Sequence, residues 1–213
     1  MMGSLALKAE NNVCGILLAG GCSSRMEGHD KALMPLDGVS LLKRAIVVMQ
    51  PQIKALCLST NNVNEHYSSF GLPIVQDKTN ENVGPLGGIV AGMEWVKNTH
   101  PETDWIASFP CDTPFLPNDI VAKLLEKAKN QDVDIVFSRS GKRAHYLCSI
   151  WRMNVYKLLH RAVFEEEVRE VNVLISRLKS SEVEWSAEPN DPFLNINHLE
   201  DFMMAEKQVL NDV

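Results

Sequence analysis

Short apolar runs alternate with stretches of helical spacing along most of the chain. Residues 13–19 are apolar and are closed by Gly20 and Gly21, as expected of a buried strand entering a turn. Leu41, Leu42, Ala45, Ile46 and Met49 recur at helical spacing behind Ser40, a residue type that caps helices by accepting a first-turn N–H. Further strands are predicted over 55–58, over 73–76 ending at Asp77, and over 105–109 stopping at Pro110. Helices are predicted over 64–70, over 86–98, and from Asn118 or Asp119 onward, where Val121, Leu124 and Leu125 share an inner face. Residues 135–139 and 147–151 read as strands around a polar, glycine-containing turn, which suits an antiparallel pair. The remainder predicts helices near 154–166 and 171–179, a short strand around 183–185 and an amphipathic helix from His198.

Strands alternating with helices imply an α/β protein with a mostly parallel sheet covered on both faces. Ligands in such sheets sit at the carboxyl ends of the strands, so the chemistry is expected after Ala19, Ser59, Gln76 and Phe109. With no repeat and no low-complexity linker, the expectation is a single domain over residues 1–213. Hydrophobic residues make up 45% of the chain, enough for a full core. Lys and Arg number 21 against 27 Asp and Glu, which argues against nucleic acid or an anionic membrane as partner but leaves room for one basic pocket. The five cysteines include no CxxC pair and no zinc-like spacing, as suits a reducing compartment. The first residues lack the apolar run of a signal peptide, and no stretch approaches the roughly 20 apolar residues of a membrane span. A cytoplasmic location is expected.

Four segments carry candidate chemistry. In the first, Gly20 and Gly21 let backbone N–H groups approach a ligand, and Arg25 and Lys31 bring cations to the same loop. The spacing is not that of a P-loop, because Gly21 stands where its lysine belongs, and G-x-G-x-x-G is absent. A bare glycine turn with two solvated cations fits these residues as well as a phosphate loop does. In the second, Asp112 follows a buried strand between Pro110 and Pro114 and is placed either to hold a divalent metal or to cap a turn. The third pairs Asp77 with Gly84, Pro85, Leu86 and Gly87, either a loop and helix entry or a nucleoside contact. The fourth contains Asn195 and Asn197, whose amides share a side if the segment is a strand; the alternative is helix capping by Asn197. Lys142, Arg143 and His145 lie on a polar turn that is either a solvated tip or a second-substrate contact.

The full pattern L-A-G-G-x-S-x-R-M-x-x-x-x-K-A over 18–32 resembles the signature of the nucleotidyltransferases that include molybdenum cofactor guanylyltransferases and sugar-phosphate nucleotidyltransferases. P-C-D-T-P at 110–114, G-P-L at 84–86 and N-x-N at 195–197 follow in the order of the guanylyltransferase family. The resemblance implies a Rossmann-like three-layer sandwich with a small antiparallel element. It implies transfer of GMP from GTP to molybdopterin, with Mg²⁺ on Asp112 and with Arg25, Lys31 and Asp112 in catalysis. It further implies a nucleotide site of Leu18, Ala19, Gly20, Gly21, Lys31, Ser59, Asn61, Asp77, Gly84, Pro85, Leu86 and Asp112. His145, Asn195 and Asn197 fall to the second substrate, with other cofactor-biosynthesis proteins and acceptor apoenzymes as partners. Three departures stand out: Glu27 replaces a glycine, Ser59 stands where an asparagine is usual with Asn61 two residues further on, and His198-Leu199 replaces Thr-Pro. A cytidylyltransferase on a related cofactor and a non-catalytic nucleotide-binding paralogue remain open at this point.

Overall fold

The computed structural model describes residues 12–20, 30–63, 65–77 and 83–211. Strands β1 (Val13–Leu18), β4 (Ala55–Ser59), β5 (Ile74–Val75), β6 (Trp105–Pro110), β7 (Ile135–Ser140), β8 (Arg143–Arg152) and β9 (Ser180–Trp185) form one sheet. Its order is β5-β4-β1-β6-β8-β7-β9, and β8 alone runs antiparallel to its neighbours. A separate hairpin pairs β2 (Pro35–Leu36) with β3 (Val39–Ser40) across Asp37 and Gly38. Both turn residues have positive φ, 51° and 73°, the geometry a two-residue hairpin needs to match strand twist.

The sheet is buried on both faces, as its unbroken apolar strands require. Alternation along β1 sends Val13 and Leu17 to one core and Cys14, Ile16 and Leu18 to the other. The first core is covered by α1 (Leu41–Met49) and α4 (Ile120–Lys129), whose predicted inner residues Leu42, Ala45, Ile46, Met49, Val121, Leu124 and Leu125 are all buried in it. Burying each larger apolar side chain contributes about 1.5–3 kcal/mol. The Ser40 hydroxyl accepts the Lys43 N–H at 3.2 Å, so the predicted cap is formed. The second core is covered by α3 (Gly84–Thr99), α5 (Tyr156–Phe164) and α6 (Val171–Ile175). Helix α3 lies unusually close to the sheet. A Cβ at Gly92 would stand 2.1 Å from Ile16 Cδ1, and one at Gly88 would stand 2.6 Å from Ser59 Oγ. Helix α7 (Leu199–Asn211) packs Phe202 and Ala205 with Leu36, Leu41 and Ile196 in a third cluster. No helix among the described residues is long and apolar enough to cross a membrane.

Three sequence expectations are corrected. The helix predicted over 64–70 is formed as α2 (Glu65–Ser68) and ends in a turn at Ser69 and Phe70, where the Phe70 N–H bonds Tyr67 O and the Gly71 N–H bonds Ser68 O. Residues 195–197 form no strand; the segment is a loop whose one backbone–backbone bond is Ile196 N–H to Asp112 O at 3.0 Å. His145 is not on a turn. Strand β8 begins already at Arg143, and a register shift between Phe137 and Ser138 pushes Tyr146, Leu147 and Cys148 out of the ladder. Buried serines satisfy the carbonyls freed there: Ser108 donates to Leu147 O at 2.9 Å and Ser149 to Tyr146 O at 2.8 Å.

Candidate active site

Register determines what meets at the carboxyl edge of the sheet. Leu18 stands between Ser59 of β4 and Pro110 of β6, so the loops leaving these three strands start side by side. Their backbones are stitched together where pairing ends: Ala19 N–H donates to Ser59 O at 2.8 Å and Cys111 N–H to Leu18 O at 3.1 Å. The chain leaves β1 toward β4 on one side and returns to β6 on the other. This reversal opens a crevice in which α/β sheets bind ligands.

A cavity of about 340 Å³ fills that crevice. Its walls include Leu18, Gly20, Ser59, Asn61, Asp77, Gly84, Pro85, Gly88, Asp112 and Asn195, so most of the predicted nucleotide site converges here. A Cβ at Gly20 would meet nothing within 4 Å among the described residues, and Gly20 lines the cavity. Asn61 and Asp77 hold each other, Nδ2 donating to the Asp77 carboxylate and the Asp77 N–H donating back to Asn61 Oδ1 at 3.2 Å. Leu86 departs from expectation. Its side chain is fully buried in the core under α3 and is not part of the cavity wall. Gly21 and Arg25, with Cys22 and Glu27, lie outside the described residues.

Lys31 and Asp112 form the charged centre. Lys31 Nζ lies 2.5 Å from Asp112 Oδ2 and donates to Asn197 Oδ1 at 2.8 Å. Asn197 therefore does not cap α7 with its side chain; Asp201 Oδ2 does so, accepting the Asn197 and His198 N–H groups at 2.8 Å each. Burial pushes the Asp112 carboxyl above the ordinary carboxylate range, against the pull of Lys31. Asp112 Oδ1 is buried and has no partner among the described residues, and the same holds for Asn195 Oδ1. Asp112 and Asn195 both line the cavity; a carboxylate and an amide oxygen suit a hard divalent cation, and Mg²⁺ needs no more than one or two carboxylates. Among the described residues there is no cluster of three or more His, Cys, Asp or Glu.

His145 lines a second, adjoining cavity of about 200 Å³, which shares Pro110, Leu147 and Asn195 with the first. The ring is buried, stacks on Phe193 at 4.6 Å between centroids, and places Nε2 2.7 Å from Ser140 Oγ. Ser140 in turn donates its only proton to Asp191 Oδ2 at 3.0 Å, so the imidazole must supply the proton of its own contact. Burial lowers the His145 pKa to about 4, so the ring is neutral near pH 7 and forms wall rather than countercharge.

Residue reading alone missed Asp30, Tyr67 and Ser140. Asp30 caps the short 3-10 turn Lys31–Leu33 by accepting the Ala32 N–H at 3.2 Å, and the buried Tyr67 hydroxyl donates to the same carboxylate. The one available signal was an aspartate, a capping residue type, immediately before Lys31.

A twisted α/β sheet with glycine-lined backbone, a lysine and a mostly buried carboxylate at its switch point is the arrangement of a nucleotidyltransferase. A family model described as the MobA-like NTP transferase domain matches residues 15–181. The chain belongs to that family. It is 37% identical over 197 residues to a molybdenum cofactor guanylyltransferase of Rhodopseudomonas palustris (strain BisB5), covering 92% of this chain and 94% of that one. It is 36% identical over 195 residues to a protein of the same name from Bradyrhizobium sp. (strain ORS 278), with 92% of each covered. Among solved structures, molybdopterin-guanine dinucleotide biosynthesis protein A from Archaeoglobus fulgidus superposes with a TM-score of 0.75 at 19% identity, over 93% of this chain and 99% of that one, and so shares the fold.

Proposed function

We infer that this enzyme transfers GMP from GTP to molybdopterin, forming the guanine dinucleotide of the cofactor and releasing pyrophosphate. The observation that carries the residue assignment is the Lys31–Asp112 pair at the cavity wall, with the second carboxylate oxygen buried and without a partner among the described residues. The relatives' shared name supports guanine over cytosine and turnover over bare binding.

The reaction asks little covalent help of the protein. The terminal phosphate of molybdopterin is already anionic, so its oxygen attacks the α-phosphorus of GTP without a general base. The bond from that phosphorus to the β-phosphate oxygen breaks, and pyrophosphate leaves with the electron pair. What remains for the protein is alignment and charge neutralisation. In this reading Lys31 and Arg25 oppose the charge that passes to the leaving group. The backbone at Leu18, Ala19 and Gly20 is assigned to the phosphates, and the family pattern gives Gly21 the same role. Ser59, Asn61, Asp77, Gly84 and Pro85 hold the nucleoside; Leu86 supports that wall from the core. A magnesium ion held by Asp112, with the Asn195 amide beside it, would supply charge neutralisation at the phosphates. The cavity beside His145 receives the pterin, with Asn195 at the junction and Asn197 acting through Lys31.

The test is pyrophosphate release from GTP, CTP, ATP and UTP, each with Mg²⁺ and molybdenum-loaded molybdopterin. Release from GTP alone is expected. A CTP preference would keep the chemistry and change the product, and GTP binding without release from any nucleotide would defeat the enzyme reading.

A further inference from the structure

Lysine is a poor choice for a fixed charge. Its side chain has four rotatable bonds and loses about 2 kcal/mol of conformational entropy when held still. Lys31 nevertheless reaches both Asp112 Oδ2 and Asn197 Oδ1. Its backbone belongs to a three-residue 3-10 turn, an element with little stability of its own. Something outside the turn must hold it.

The hydrogen bonds around Asp30 identify what does. Asp30 Oδ1 accepts the Ala32 N–H at 3.2 Å, which closes the turn over Lys31. The Tyr67 hydroxyl lies 2.8 Å from Oδ1 and 2.9 Å from Oδ2, and Asn62 Nδ2 reaches Oδ2 at 3.3 Å. Tyr67 is 1% exposed, so its ring is fixed by the core and its hydroxyl is an immobile donor. Burial, with Asp30 second, pushes its ionisation far above the ordinary phenol range, and the proton stays on. A hydroxyl donating to a carboxylate is among the stronger hydrogen bonds a protein makes. The same hydroxyl also meets the Thr60 side chain, and Thr60 begins the loop carrying Asn61, the partner of Asp77. One buried phenol thus ties the turn under Lys31 to the wall assigned to the nucleoside.

We propose that Asp30 and Tyr67 are positioning residues for the reaction, acting through Lys31 by holding its turn at the height where Nζ meets Asp112. The proposal rests on the reading of Lys31 as the phosphate-facing cation. A purely structural role for the pair would loosen this corner whatever residue stood at 31. A positioning role has an effect only while the lysine is present.

The experiment measures kcat and KM for GTP by pyrophosphate release, and the affinity for magnesium–GTP, in the full chain. The variants are Tyr67→Phe, Asp30→Ala, Asp30→Asn, Lys31→Ala and the Tyr67→Phe/Lys31→Ala double. Tyr67→Phe keeps the ring in the core and removes only the hydroxyl, and its kcat is expected to fall about tenfold with KM changed less than about twofold, as for a small displacement of a reacting group. Asp30→Asn keeps an acceptor for both the Ala32 N–H and the tyrosine, so its rate should lie between wild type and Asp30→Ala. In the Lys31→Ala background, Tyr67→Phe should cost nothing further. Wild-type kcat in both Tyr67→Phe and Asp30→Ala overturns the proposal, as does a loss that multiplies with that of Lys31→Ala. Normal turnover of Lys31→Ala removes the assignment beneath it, a different failure. If wild type turns over no nucleotide, the proposed function falls, and the same cycle on magnesium–GTP affinity still decides between coupled and independent losses.

Discussion

In the larger cavity at the sheet edge, Asp112 shares one oxygen with Lys31 and keeps the other buried and, among the described residues, unpaired, as Asn195 keeps its amide oxygen. In the adjoining cavity, His145 is linked through Ser140 to Asp191 and packs flat on Phe193. Both clusters lie at the same edge of one sheet, and burial acts on both by favouring the neutral form. They differ in what answers that pressure. The histidine gives up its charge and becomes part of a closed network. The carboxylate stands against a lysine and keeps an acceptor in reserve. An unsatisfied buried acceptor costs about 1–3 kcal/mol, which a fold tolerates where a ligand completes the set.

The sharpest way to break this contrast is to remove a member of the open cluster. Asp112→Ala is expected to lower pyrophosphate release by about a thousandfold, and Lys31→Ala by about a hundredfold, the range seen when charge-stabilising groups are deleted. Near-normal turnover in both would end the comparison. His145→Phe should do less to the chemistry, with a rate within about tenfold of wild type, while leaving Ser140 without its ring partner at a stability cost of about 1–3 kcal/mol in chemical denaturation. A collapse of activity in a stable His145→Phe protein would instead make the histidine a reacting group.

The finest test is pH. His145 has an ordinary pKa of 6.5 and about 4 when folded, so between these values the unfolded chain binds the extra proton. Its contribution is therefore intact above about pH 6.5 and is lost as pH falls toward 4, by up to about 3 kcal/mol. Wild type should lose stability faster than His145→Phe across that window, and parallel curves would mean the ring is not held neutral.

Much of this was legible before the structure. Apolar runs found β1 and β6 almost to the residue, and Ser40 gave away the start of α1, because buried parallel strands and capped helices are written locally. Asp77 and Asp112 stood out as carboxylates just past strand ends, and Lys31 through the pattern of the loop that follows β1. The errors have a common physical source. Phe193, Asn195 and Asn197 alternate as in a strand, yet residues 195–197 form a loop whose one backbone–backbone bond is at Ile196. His145 looked like part of a polar tip because the register shift beside it shows only in the pairing with β7 and in the bond from distant Ser108. Asp30 and Tyr67 are 37 residues apart, and nothing local announces that one caps the turn the other secures.

The contact between Gly92 and Ile16 has a consequence for descent. Helix α3 can lie as it does because one residue lacks a side chain where the other has a branched one, and a single added carbon would overlap at 2.1 Å. Neither residue alone is therefore the inherited trait; their combined volume is. A lineage in which position 92 acquires alanine should carry something smaller than isoleucine at position 16, and the two changes should travel as a pair through any set of sequences that keeps the helix at this depth.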